Sequence, residues 1–194
     1  MTTRSQWVNE GLNVLKLQGR SGVRIDRIAE RLGLTKGSFH HHFIGIGDYR
    51  SALLTRYEED SMTSIRAAIF AASELPSHQA LARVATDVSL DPRLDAVMRA
   101  WAFEDESARA VQGRVDTARL EALVALWRGI LPDPSHAHIA ALVPYLVMVG
   151  SSAAFPTPSA AEMHSVFALL ARTKSNGGLS KNVSHNLRFP LNST

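Results

Sequence analysis

A glycine between two short helical patterns is the feature that most constrains the fold of this chain. Segment 25–32 places apolar side chains at the i, i+3, i+4 and i+7 positions of one helix face. Gly33 then ends the helix, because glycine adopts the left-handed conformation without a steric penalty. Thr35 is a favourable N-cap for a second helix, and Phe39 points back toward the first. Segment 25–43 therefore predicts a helix-turn-helix, whose second helix places its N-terminal residues in the major groove of DNA.

An ordinary αα-hairpin inside a helical bundle is the alternative interpretation of this segment. Ala29 is small where the two helices must approach closely, and Gly33 lies four residues later in the tight turn. The second helix is polar and basic. These features favour a DNA-reading motif over a simple hairpin.

Residues 34–43 also resemble a family signature. They read Leu-Thr-Lys-Gly-Ser-Phe-His-His-His-Phe, which closely resembles the segment that bridges the turn and the recognition helix in the tetracycline-repressor (TetR) family. The resemblance is strongest from Trp7 to Tyr57 and continues as an all-helical pattern to about residue 174. His40 stands where the family usually has a tyrosine, and Ile44 and Ile46 stand where a lysine is common.

The resemblance implies an all-α protein with two domains. A three-helix, helix-turn-helix DNA-binding domain would occupy residues 1–50, and a helical bundle that binds an effector and dimerises would occupy residues 51–174. The last residues, 175–194, are rich in Gly, Ser and Asn without periodicity. Such a composition predicts a flexible tail.

We expect the DNA contacts to come from the start of each helix of the motif. Lys36 lies where a side chain reaches guanine O6 and N7 or a phosphate. Gly37 allows close approach of the backbone, and the Thr35 hydroxyl at a helix N-terminus suits a phosphate. Arg24 stands where the family usually has a Thr or Ser that touches the DNA backbone. The full predicted set is Arg24, Thr35, Lys36, Gly37, Ser38, His40 and His41.

Basic residues are concentrated in the first part of the chain. Residues 1–57 contain nine Lys/Arg and four Asp/Glu, a net charge of +5, whereas residues 58–174 contain ten and fourteen, a net charge of −4. A polyanion is attracted to the first part and repelled by the second. The charge distribution therefore supports DNA binding by the N-terminal segment.

Capping residues, glycines and prolines divide the chain into helices. Pro76 ends a long helix, because proline disfavours the helical conformation in the residue before it. Asp91-Pro92 begins another helix, and Pro144 should kink a later one. Besides the helix-turn-helix, the predicted helices span about residues 5–17 (capped by Ser5), 48–72 (capped by Asp48), 77–89, 91–101, 108–128, 135–151 and 159–173.

The apolar residues after Tyr57 have two interpretations. They form an ordinary core or, as the resemblance implies, some of them line an effector pocket; no charged cluster stands out at the interior positions. The residues that the resemblance assigns to the pocket are Met62, Ile65, Met98, Trp101, Trp127 and Tyr145. In the family, the last two long helices form a four-helix dimer interface, to which we assign Leu142, Leu146, Val149, Val166, Phe167 and Leu170.

Other classes of protein leave no clear signal in this sequence. The chain has no cysteine, no apolar run of 18 residues and no signal-peptide core, so we expect a cytoplasmic protein without a membrane partner. His40, His41 and His42 project about 100° apart along a helix and cannot close on one metal ion. We expect no cofactor and no enzymatic activity, since no catalytic spacing is present.

The sequence thus predicts a homodimeric regulator that binds a pseudo-palindromic double-stranded DNA operator. The resemblance favours a repressor released by a small apolar or amphipathic effector. Two alternatives remain: a helix-turn-helix regulator controlled by a protein partner without a small-molecule effector, and a helical enzyme.

Overall fold

The computed structural model describes residues 3–87 and 91–172, and every regular element in these ranges is a helix. The all-α prediction is confirmed. A 3-10 turn at Arg20–Gly22 follows the first helix. The helices are α1 (Arg4–Gln18), α2 (Ile25–Arg31), α3 (Lys36–His40), α4 (Ile46–Ala72), α5 (Ser77–Asp87), α6 (Pro92–Glu104), α7 (Glu106–Arg128), α8 (Pro134–Ala153) and α9 (Ala160–Arg172). We call α1–α3 the head and α5–α9 the body, with α4 joining them; the predicted tail, 175–194, lies outside the described residues.

Two predicted N-caps are wrong. Helix α1 is capped by Thr3 rather than Ser5, because the Thr3 hydroxyl accepts the Gln6 backbone N–H at 3.3 Å while the Gln6 side chain accepts the Thr3 N–H at 2.7 Å. Helix α4 begins at Ile46, after Gly45, so Asp48 lies in its first turn. There Asp48 accepts the backbone N–H of Ile44 at 3.1 Å and fixes the loop that enters the helix.

Aspartates begin three helices of the body. Asp91, Asp105 and Asp133 each accept a backbone N–H three residues later, and a proline follows Asp91 and Asp133 directly. A side-chain oxygen at the N-cap satisfies a donor that the helix leaves unpaired, and proline at the first helical position loses no bond. The predicted start of α6 at Asp91-Pro92 is confirmed.

The buried apolar residues form two clusters, and the 27-residue helix α4 belongs to both. The first cluster surrounds Trp7 and Tyr49 in the head and continues to Met98 and Trp101 of α6. The second joins the C-terminal half of α4 to α5, α7, α8 and α9. The head therefore packs directly on α6, in addition to being joined to the body by α4.

Helices α1 and α4 cross in close contact at Gly11. A Cβ at Gly11 would overlap the Tyr49 hydroxyl and come within 2.7 Å of Leu53 Cδ2. The Tyr49 hydroxyl donates to the Trp7 carbonyl at 2.5 Å, in a fully buried position. Burial raises the pKa of the Tyr49 hydroxyl, so the group stays a neutral donor.

Helix α8 is long and apolar enough to cross a membrane, by length and composition alone. A helix that is buried on one face and apolar on the other passes the same test. Small or apolar residues on one face of α8, including Ala137, Ala141 and Met148, are buried in the second cluster. Pro144 lies inside the helix on this buried face.

Candidate nucleic-acid interface

The turn between α2 and α3 has the geometry that the sequence predicts. Gly33 adopts a left-handed conformation with φ of 67°. Its N–H donates to Glu30 O at 3.0 Å, and the N–H of Leu34 donates to Ala29 O at 2.8 Å. This pair of bonds is the Schellman motif, which satisfies the last carbonyls of α2 and reverses the chain. The motif sets the angle between α2 and α3.

An aromatic cluster holds the inner face of α3. The Phe39 ring is fully buried and packs edge-on against Trp7 and Tyr49, each with ring centroids 5.4 Å apart. Phe43, directly after α3, packs on Phe39 at 5.1 Å and on Tyr49 at 4.8 Å. Because these side chains all point inward, the opposite face of α3 is fixed toward solvent.

The predicted base-reading residues lie on that outer face. Thr35, Lys36, Gly37, His40 and His41 are exposed, and Ser38 is half-buried. Thr35 occupies the N-cap position without making a side-chain capping bond, so its hydroxyl is open to a ligand. The Lys36 ammonium forms no ion pair with the residues that the structure describes, and its charge acts only weakly on the Asp26 carboxylate.

Arg24 differs from the other predicted contacts, because it is already paired. Its guanidinium donates twice to the Asp26 carboxylate, at 2.9 and 3.2 Å. The hydrogen bonds from Arg24 lower the pKa of Asp26, which keeps that carboxylate charged. A phosphate at this position would have to compete with Asp26 for the same guanidinium.

Several other cations of the head are paired with acids of the same chain. Lys16 lies 2.5 Å from Asp91, and Arg20 lies 2.9 Å from Glu104. Arg31 pairs with Glu10 inside the head. The net charge of the N-terminal segment therefore overstates the positive charge that faces a ligand, because Lys16 and Arg20 tie the head to α6.

Arg4 is a cation of the interface that sequence reasoning missed. Its guanidinium lies 4.8 Å from the centroid of the Phe43 ring and 4.0 Å from the Asp48 carboxylate. Arg4 is thereby placed beside Phe43, just beyond the end of α3. No local pattern predicts this contact, because the two residues are 39 positions apart in the sequence.

The six predicted effector-contacting residues lie in different parts of the core. Met98 and Trp101 belong to the first cluster, and Ile65 and Trp127 belong to the second. Met62 and Tyr145 are partly buried; Met62 packs against both clusters, and Tyr145 packs against the second.

A group of charged residues, of which Asp95 and Arg119 are buried, lies where α6 packs on α7, although the sequence analysis found no interior charged cluster. Asp95 of α6 accepts Arg119 Nη1 of α7 at 2.6 Å and Arg99 Nε at 2.9 Å. Arg99 also forms a two-pronged pair with Asp116 of α7, at 2.7 and 2.8 Å. Tyr57 of α4 donates to Asp95 at 3.1 Å. The group joins α4, α6 and α7 through directional bonds.

The electrostatics of this group keep the Asp95 carboxylate ionised. Burial raises the pKa of Asp95, but the charges of Arg119 and Arg99 outweigh this effect and hold that pKa below its ordinary value. Burial and the neighbouring Asp95 charge raise the pKa of Tyr57, which remains a neutral donor. Two aspartates and two arginines leave the group with no net charge.

The predicted dimer residues fall into three exposure classes. Leu146 and Val166 are exposed, while Leu142, Val149 and Leu170 are half-buried. Phe167 is only 3% exposed, because it packs inside the second cluster of its own chain. The most exposed apolar side chains of α8 and α9, some of them outside the predicted set, are Ile139, Val143, Leu146, Val166 and Leu169.

The head is an all-α unit in which Phe39 fixes the second helix of the helix-turn-helix and Lys36, Gly37 and His40 are exposed, the arrangement of a DNA-binding domain. Residues 8–46 match the family model described as "Bacterial regulatory proteins, tetR family". The head of this chain is thus a TetR-family DNA-binding domain, which confirms the resemblance found in residues 34–43.

Solved structures extend the likeness to the body. The transcriptional regulator FadR from Bacillus subtilis, in complex with stearoyl-CoA, superposes with a TM-score of 0.67 at 16% identity over 88% of this chain and 98% of that chain. The TetR-family regulator PfmR from Thermus thermophilus gives 0.67 at 18% identity over 89% and 97%.

The multidrug binding protein EbrR, complexed with imidazole, gives a TM-score of 0.58 at 21% identity over 88% of this chain and 95% of that chain. No curated protein matches the chain. The family model covers the head, and at these identities the solved structures establish the fold of the body.

Proposed function

We propose that this protein is a cytoplasmic, homodimeric transcriptional repressor that leaves its operator when a small molecule binds. The observation that carries the proposal is the exposed first turn of α3, which the Phe39 cluster holds rigidly against the head. A recognition helix fixed in this way reads base edges in the major groove. Repression is the simplest outcome of such binding, because an occupied operator excludes other proteins from the same DNA.

Each exposed residue of the head has a distinct role in this proposal. Lys36 reads a guanine, while Thr35 and Ser38 bind phosphate or base oxygens. Gly37 lets the protein backbone approach the groove closely. His40 and His41 contact the DNA backbone or a base. Arg4 contributes a phosphate contact next to Phe43. Arg24 contributes a weaker one, because Asp26 already neutralises its charge.

We propose the division into residues 1–50 for DNA binding and 51–174 for effector binding and dimerisation. Dimerisation is supported by the exposed stripe of α8 and α9. Ile139, Val143 and Leu146 follow the i, i+4, i+7 spacing of one helix face, and Leu169 is 64% exposed on the neighbouring helix. Contiguous exposed apolar surface of this kind marks an interface. The other predicted dimer residues lie around this stripe: Leu142, Val149, Val166 and Leu170. Phe167 packs beneath it in the second cluster.

A small apolar or amphipathic effector is supported by the composition of the body. Met62 and Tyr145 lie partly buried at the edges of the apolar clusters, while Ile65, Met98, Trp101 and Trp127 are buried within them. FadR and EbrR were solved with small molecules bound. By analogy, an effector between α4 and the body would favour a spacing of the two heads that does not fit the operator. The effector would then weaken DNA binding by the same free energy by which bound DNA weakens effector binding.

A mobility-shift assay on the DNA that flanks the gene for this protein tests the proposal. The protein should bind one pseudo-palindromic duplex as a dimer, because two symmetric heads enter major grooves about 34–36 Å apart or a multiple of that distance. Inserting about five base pairs between the half-sites should rotate one site to the opposite face and abolish tight binding. Unchanged affinity would contradict the dimeric reader, and release by a protein but by no small molecule would favour the partner-controlled alternative.

A further inference from the structure

An open cleft of about 610 Å³ lies at the junction of the head with α6. The chain around Arg20 forms one wall, Arg50 of α4 forms a second, and α6 forms the floor through Val97, Ala100 and Trp101. Apart from Trp101, no residue of the predicted effector set lines it. The cleft is large enough for an organic molecule of ordinary drug size.

Arg50 is the unusual residue of this cleft. Its Nε is fully buried without a hydrogen-bond partner, and no residue that the structure describes forms an ion pair with its guanidinium. Arg20, by contrast, is paired with Glu104 at 2.9 Å. A buried donor without an acceptor costs free energy unless a ligand or water supplies one. Arg50 therefore provides one uncompensated positive charge beside an apolar floor.

We propose that the cleft binds a small amphipathic monocarboxylate, with its carboxylate on Arg50 and its apolar part on α6. A carboxylate accepts two parallel hydrogen bonds from a guanidinium, the strongest pairing open to this side chain. The acids at the rim select against a higher charge, since Glu104 and Asp105 would repel a dianion such as a phosphate monoester. Val97 and Ala100 of the floor match an aliphatic chain.

A ligand in this cleft would act on the contacts that orient the head. The pairs Lys16–Asp91 and Arg20–Glu104 both cross the same junction. A bound carboxylate next to Arg20 competes with Glu104 for its guanidinium, and thereby shifts the balance between two orientations of the head on α6. This effect on DNA binding rests on the proposed function, whereas the binding of the carboxylate itself does not.

Octanoate, measured by calorimetric titration of the protein in the absence of DNA, is the probe that tests the site. Neutral octanamide is the control ligand, since it keeps the alkyl chain of octanoate and lacks its negative charge. Arg50→Gln should weaken octanoate binding by about tenfold or more. Arg66→Gln is the matched control, because Arg66 is an exposed arginine of the same helix that lies away from the cleft. Ala100→Phe keeps Arg50 and fills the floor, so it should also abolish binding.

Tight octanoate binding that is lost in both Arg50→Gln and Ala100→Phe, and kept in Arg66→Gln, supports the site. Three results overturn it: no octanoate binding by the wild-type protein, equal binding of octanamide, or wild-type octanoate affinity in Arg50→Gln. If Arg50→Gln keeps octanoate binding and loses affinity for every duplex, Arg50 is a phosphate contact instead. Because the titration contains no DNA, failure of the repressor proposal does not affect its outcome.

Discussion

Arg119 of α7 donates to Asp95 of α6 at 2.6 Å, and neither residue is more than 4% exposed. Asp95 also accepts hydrogen bonds from Arg99 and Tyr57. A buried ion pair contributes little compared with apolar residues of the same shape, but loss of one partner leaves an uncompensated charge in the interior. The pair therefore fixes how α6 packs on α7 and is sensitive to any change in one partner.

Asp95→Ala should lower the free energy of unfolding by about 3–5 kcal/mol at pH 7, because it leaves Arg119 and Arg99 without their shared carboxylate. Urea denaturation measures the change. Asp60→Ala is the control, since Asp60 forms an exposed i,i+4 pair with Arg56, and its loss should cost less than about 1 kcal/mol. Equal costs for the two variants would contradict a structural role for the buried group.

The contribution of Asp95 should also depend on pH. Its pKa is lowered in the folded protein, so its stabilising effect is complete above the unfolded-state value of about 3.9 and is lost as pH falls through the lower folded-state value. The difference in unfolding free energy between wild type and Asp95→Asn should therefore stay constant from pH 7 to pH 5 and narrow below about pH 4. A difference that narrows already between pH 7 and pH 5 would refute the lowered pKa.

Gly11→Ala should destabilise the protein by about 1–3 kcal/mol, because the new methyl group overlaps the Tyr49 hydroxyl at the crossing of α1 and α4. Thermal unfolding measures the effect. Gly113→Ala is the control: Gly113 is an exposed helical glycine of α7 with open space around its Cβ position. That control should be stabilised by up to about 1 kcal/mol, since alanine loses less entropy in a helix. Loss of stability in both variants would mean that helix geometry, not the crossing, sets the cost.

Lys36→Ala and Arg24→Ala should have different effects on DNA binding. Lys36→Ala should relax sequence preference by about 1–3 kcal/mol of discrimination, because it removes a base-reading side chain. Arg24→Ala should weaken binding to operator and scrambled duplex alike. The slope of the logarithm of affinity against the logarithm of salt concentration should become shallower by less than about one unit, because Asp26 already neutralises Arg24. Fluorescence anisotropy with both duplexes over a range of salt concentrations separates the two. Equal losses on both duplexes for Lys36→Ala would assign Lys36 to phosphate contact.

If the protein dimerises through the exposed stripe of α8, as proposed, Leu146→Glu should convert it into monomers, because the substitution places like charges face to face. Light scattering after size exclusion measures the mass, and operator affinity should fall with it. Phe70→Glu is the control, since Phe70 is 83% exposed on α4, outside the stripe. A Leu146→Glu protein that stays dimeric would place the interface elsewhere.

Local sequence determines the DNA-reading motif almost completely. Gly33 ends α2 because glycine alone takes its conformation without strain, and the spacing of Phe39 and Phe43 sets which face of α3 points inward. These interactions span only a few residues, so the pattern and the structure agree. Cap positions are harder to predict: Ser5 and Thr3 are both good caps, and the partner side chain of Gln6 selects Thr3.

Tertiary structure alone decides which charges are buried and which apolar faces are free. Asp95 and Arg99 are spaced i,i+4 on α6, a pattern that is typical of a solvent-exposed pair, and they are buried only because α7 brings Asp116 and Arg119 against them. In the same way, the neighbours of α8 cover Ala141 and Met148 and leave Val143 and Leu146 exposed. The period of a helix gives its candidate faces, but burial depends on the elements that pack against it, and these contacts join residues far apart in the sequence.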